Sequence, residues 1–126
     1  MFQEDKLVDI LENGQEIVIF FMIEQIGAFC FYMNHDMADG RIPEHQHAAI
    51  DADIASAQSQ QVRLVKSLDR FGASLVDDQG KPSEEYWKWY RKWKNYTTSL
   101  SNDEFERLDK AISNGDDLSD WKPVEG

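Results

Sequence analysis

Apolar positions fall into a few long stretches separated by polar turns, and their spacing is helical. The first stretch, Glu4 to about His35, opens with Leu7, Ile10 and Leu11 on one face and Asp5, Asp9, Glu12 and Glu16 on the other. That pattern predicts an amphipathic helix. Beyond Ile17 the polar face vanishes, because Phe20, Ile23, Cys30 and Phe31 take its place. A helix that is apolar all round has to be covered on every side, either by the other helices of the chain or by a second copy. Asn13-Gly14 divides the stretch into one long helix or two. Between two apolar runs this dipeptide also suits a β-hairpin, but the run after it is too long for a strand and favours helix.

Residues 34–42 read as a connecting loop, and Pro43 fits the first position of a second long helix reaching about Phe71 or Leu75. Ile50, Ile54, Ala57, Gln61, Leu64, Leu68, Phe71 and Leu75 alternate at four-three spacing, a heptad seam interrupted by the polar Gln61. The short connection predicts that these first two helices form a long antiparallel hairpin. Asp77, Asp78, Gly80 and Pro82 mark the next turn. Ser83 then caps a third helix over roughly 84–98, with Tyr86, Trp89, Tyr90, Trp93 and Tyr96 on one face. Ser101-Asn102-Asp103-Glu104 is a capping box for a last helix, and Gly115 is placed to end it in a left-handed turn. The expected fold is an all-α bundle of about four helices. It comprises one helical domain over 1–115 and an acidic tail over 116–126 that Trp121 pins to the body.

Composition agrees: of 126 residues 41% are hydrophobic, enough to build a core, and three Pro and seven Gly leave room for long helices. Cys30 stands alone in an apolar run, which excludes an internal disulfide and suggests a buried thiol. The start, MFQEDKLVD, is acidic where a secretory signal is basic. Ile17 to Met33 spans 17 residues with Glu24 and Gln25 at its centre, which reads as a buried core helix of a cytoplasmic protein rather than a membrane span.

Charge narrows the partners. The formal net charge is −11, and residues 1–60 hold eleven acidic and two basic groups against five and eight in 61–100. Binding to nucleic acid or an anionic membrane requires Lys and Arg to displace counterions, so neither is expected. A protein with a basic surface is the natural partner.

Chemistry is thinly represented. Glu44 and His47 form a Glu-x-x-His pair, and with His35 they are the weak candidates for a metal centre. Di-iron bundles need two such pairs, and neither His35 nor His45 has a Glu three residues before it. No phosphate-binding glycine loop occurs, and no metal or cofactor is expected. The candidate partner-binding residues are Trp87 beside Arg91 and Lys94 on the basic side of the third helix, where an interface hot spot would sit. To these are added Asp51, Asp53, Asp116, Asp117 and Asp120, whose carboxylates would imitate phosphates. The sequence thus points to a non-catalytic acidic interaction protein that occludes a basic or nucleic-acid-binding protein, as inhibitors, antitoxins, immunity and anti-defence proteins do. Beside it stands a homo-oligomeric structural or assembly protein of a phage or mobile element, self-associating around Phe20, Ile23 and Phe31. A metal-dependent helical enzyme built on Glu44, His47 and His35 is the third class.

Overall fold

Gly14 breaks the N-terminal stretch in two. Its N–H donates to the Ile10 carbonyl at 2.8 Å, and a Cβ at this position would lie 2.4 Å from that same oxygen, so only glycine fits. The computed structural model describes residues 4–72, 75–79, 81–116 and 118. Among these the chain forms α1 (Glu4–Asn13), α2 (Glu16–Ala38), α3 (His47–Ser67), α4 (Glu84–Ser99) and α5 (Asn102–Asn114). The fold is all-α as expected, with five helices rather than four because the Asn13-Gly14 break is real.

Three boundaries differ from the periodicity, the first being the end of α2, which runs on to Ala38 through the start of the expected 34–42 loop. Pro43 leads into a single tight turn, Glu44–Gln46, and α3 starts only at His47. At its other end α3 tightens into a 3-10 turn, Leu68–Phe71, and Gly72 leaves it at φ 85. Leu75 is therefore buried beyond the helix, while Phe71, expected in the seam, is exposed.

The antiparallel pairing involves α2 and α3, the second and third helices. Gln61 on α3 donates from Nε2 to the Ile23 carbonyl on α2 at 3.1 Å, which explains the polar residue in the seam. Ile54, Ala57, Leu64 and Leu68 fill the rest of that seam, buried. α1 lies against α3: Arg63 bonds Glu4 at 3.1 Å. Arg70 donates to the Ile10 carbonyl at 3.1 Å, which also accepts the Gly14 N–H, and to the carbonyls of Leu11 and Gly14 around the end of α1.

α4 closes the core. Ser83 accepts the N–H of Tyr86 at 3.3 Å and donates to Leu75 at 3.1 Å. Asp77 accepts the N–H groups of Gln79 and Lys81, both at 2.9 Å, to shape the preceding turn. The aromatic face of α4 packs as its spacing predicts. The ring of Phe20 on α2 meets Trp89, Tyr90 and Trp93 at 5.7, 5.8 and 6.1 Å. Beneath them Glu16, in the first turn of α2, accepts both indole N–H groups, from Trp89 at 2.6 Å and Trp93 at 2.9 Å. The carboxylate there is also favoured by the helix dipole.

α5 starts with the capping box read from Ser101 and Glu104, both reciprocal bonds being present, and ends at Gly115 with φ 72. The segment after it does not leave the body at once. Leu118 is buried, and its N–H donates to Gln15 at 2.5 Å. Trp121, the expected anchor, lies outside the described residues.

Candidate interaction surface

α2 is 23 residues long, and its two halves live in different surroundings. From Ile17 to Ile26 nearly every apolar side chain is buried among α1, α3 and α4. From Gly27 onward no apolar side chain of α2 is fully buried, and Phe29, Cys30, Met33 and Met37 are only partly covered. Phe31 is 65% exposed and Tyr32 60%. Their rings pack on each other at 5.5 Å, and Phe31 stacks on His35 at 6.3 Å. The expectation that an all-round apolar helix needs all-round cover is thus met for one half of α2 and unmet for the other. Phe20 and Ile23, expected in a self-association face, are core residues, so only Phe31 of that trio remains accessible.

α2 is long and apolar enough to cross a membrane, as the core helix of a soluble protein can also be, and it exceeds the 17 residues counted in the sequence. Its middle is committed elsewhere. Glu24 pairs with Lys94 at 2.7 Å and accepts the hydroxyl of Tyr90. Burial and that carboxylate push the Tyr90 hydroxyl well above its ordinary pKa. Burial likewise raises the Cys30 thiol, which disfavours its reactive thiolate form.

Carboxylates gather at the tip beyond Tyr32. Asp36 and Asp39 close α2, and Arg41 sits between them at 4.0 and 3.9 Å. His35 Nδ1 lies 3.4 Å from Asp39 and 3.8 Å from Asp36. Glu44, Asp51 and Asp53 follow, all exposed. Asp51 and Asp53 are two residues apart on a helix and so point to nearly opposite sides of α3. Asp116 is exposed just past α5, and Asp117 and Asp120 lie outside the described residues.

The patch expected on α4 is divided. Trp87 is 48% exposed and leans on Tyr86 at 5.0 Å and Tyr90 at 5.9 Å. Arg91 is exposed beside it, whereas Lys94 is bound to Glu24 and is not a free contact. The metal candidates do not meet. His47 Nε2 lies 2.9 Å from the Ile42 carbonyl and holds the loop, while His35 belongs to the Asp36–Asp39 group. Among the described residues no group of three or more His, Cys, Asp or Glu is arranged to hold a metal ion.

Tyr32 and Phe105 do not figure among the contact residues expected from the sequence, where Phe105 reads only as a staple residue beside the capping box. Phe105, on α5, is 42% exposed and rests on Phe21 at 5.6 Å. The available signal was the apolar run itself, since it is longer than four short helices can cover. No protein-family model, curated protein or solved structure matches the chain.

Proposed function

We propose that this protein is a non-catalytic interaction module of the cytoplasm that binds a basic surface of another protein and occludes it, as inhibitors, antitoxins, immunity and anti-defence proteins do. The observation that carries this reading is the bare aromatic end of α2, Phe31 and Tyr32, bordered by Asp36 and Asp39. Exposed aromatics in a charged frame are the make-up of an interface anchor. Internal pairing leaves the net charge of −11 unchanged but ties several cations to the fold. Arg63 is spent on Glu4, Arg70 on backbone carbonyls, Lys88 on Glu85 and Lys94 on Glu24, while Asp51 and Asp53 face water. Direct binding to nucleic acid is disfavoured by the same charge.

The test is affinity capture from lysate of the source cell or its host, at low and high salt, with the intact protein and a variant carrying Asp36→Asn, Asp39→Asn, Asp51→Asn and Asp53→Asn. The reading expects one stoichiometric partner with a basic surface, released by salt and lost with the variant. Recovery of the protein alone would overturn it. Assembly with further copies of the chain is the second reading, favoured by the same exposed rings. It carries the burden of bringing like charges together.

A further inference from the structure

At 100° per residue, Ala28, Phe31 and His35 continue the line along α2 begun by Phe20 and Glu24. α4 roofs the start of that line, through Trp89, Tyr90 and Trp93 over Phe20 and through Tyr90 and Lys94 at Glu24. Phe105 on α5 covers the neighbouring Phe21. Past Glu24 the roof ends, but the apolar surface does not. The strip from Glu24 to His35 is about 16 Å long at 1.5 Å per residue, the length of three helical turns. At its Glu24 end it is flanked by two more exposed rings, Trp87 beside Tyr90 and Phe105 on Phe21.

We infer that this strip is the docking groove for a cationic amphipathic helix of a partner protein, which completes the roof that α4 leaves unfinished. This inference rests on the reading of the protein as a binder of basic partners. Shape argues for a helix, because the missing cover is one helix wide and lies in line with an existing helix–helix contact. Charge argues for a cationic one. Asp36 and Asp39 stand at the far end, and the chain as a whole carries a net charge of −11. Of the cations beside the strip, Arg41 is held between Asp36 and Asp39 and Lys94 on Glu24, while Arg91 stands exposed beside Trp87. A second copy of the chain would set these carboxylates against their own kind.

The inference is tested with the intact protein and three synthetic peptides of about 18 residues, long enough for a helix to form on binding. One is a Leu/Lys sequence with Leu at every third and fourth position, one its scrambled isomer, and one the Leu/Glu counterpart. Calorimetry gives affinity and stoichiometry, and circular dichroism the peptide's helicity. The Leu/Lys helix is expected to bind one to one and gain helicity, with the scrambled isomer at least about tenfold weaker and the Leu/Glu peptide inert. Phe31→Ser with Tyr32→Ser should lower the affinity at least about tenfold at unchanged melting temperature. Asp36→Lys with Asp39→Lys should weaken binding while the apolar strip stays intact. Equal binding of the scrambled isomer would overturn the groove and leave the acidic-surface reading standing, whereas failure of both cationic peptides would overturn both. A concentration-dependent dimer abolished by Phe31→Ser with Tyr32→Ser would assign the strip to a second copy. Binding to phosphatidylcholine vesicles abolished by the same pair would assign it to a bilayer. Either result would overturn the proposal.

Discussion

Gln61 donates to the backbone carbonyl of Ile23 across the α2–α3 contact at 3.1 Å, and that bond fixes how the two helices are aligned. A polar residue in an apolar seam specifies register at some cost in stability. Gln61→Leu is therefore expected to stay within about 1 kcal/mol of wild type in urea unfolding, because the Ile23 carbonyl keeps its helical partner. Gln61→Ala, which loses volume as well, should cost about 1–2 kcal/mol.

Two glycines, Gly27 beside Gln61 and Gly14 at the break between α1 and α2, should respond in opposite directions. At Gly27 an added Cβ meets only Gln61 Nε2, at 3.8 Å, so Gly27→Ala should raise stability by about 0.5–1 kcal/mol through helix propensity. At Gly14 the Cβ would strike the Ile10 carbonyl oxygen at 2.4 Å, so Gly14→Ala should destabilise. Thermal melts of the two variants check the contrast.

Glu16 is the polar centre of the aromatic core. Glu16→Ala leaves the indole N–H groups of Trp89 and Trp93 without their acceptor in a partly buried setting, at a cost of about 2–4 kcal/mol. Glu16→Gln retains an acceptor oxygen and should cost less. Urea unfolding followed by tryptophan fluorescence reports both the stability and the altered indole surroundings.

Core and surface aromatics on the same helix should separate cleanly. Phe20→Ala, at 1% exposure and in contact with three α4 rings, is expected to cost about 3–5 kcal/mol. Phe31→Ser with Tyr32→Ser should cost less than about 1 kcal/mol. A large loss from the exposed pair would mean that the strip serves the fold and not a partner.

The capping box gives a pH signature. Hydrogen bonds from the Ser101 hydroxyl and backbone hold the Glu104 carboxyl below its ordinary pKa. A depressed folded-state pKa contributes stability that is present above the unfolded value, about 4.3, and is lost as pH falls through the folded one. Wild type should therefore melt above Glu104→Gln at neutral pH, with the gap closing in acid. A gap that persists at low pH would show that the charge is not its source.

Much of this fold is written locally. The box at Ser101–Glu104, the left-handed end at Gly115, the Ser83 cap and the aromatic face of α4 each depend on residues within one or two turns, and each appears where the sequence places it. The relationships that define the candidate surface are long-range. Whether α4 roofs α2 as far as Glu24 or as far as His35 depends on its crossing angle, which periodicity does not encode. An apolar strip that ends in a core and one that ends in solvent are spelled alike. Lys94 shows the same limit: on its own helix it belongs beside Trp87 and Arg91, yet in the fold it answers a carboxylate 70 residues upstream.

Arg70 carries the last consequence. The groups that close α1 are donated by a side chain on the turn after α3, about 60 residues further along the chain. During synthesis α1 is thus left open-ended until α3 has been made and folded back upon it, since the closing loop must form before the cap can act. α1 is made before its cap and finished after it.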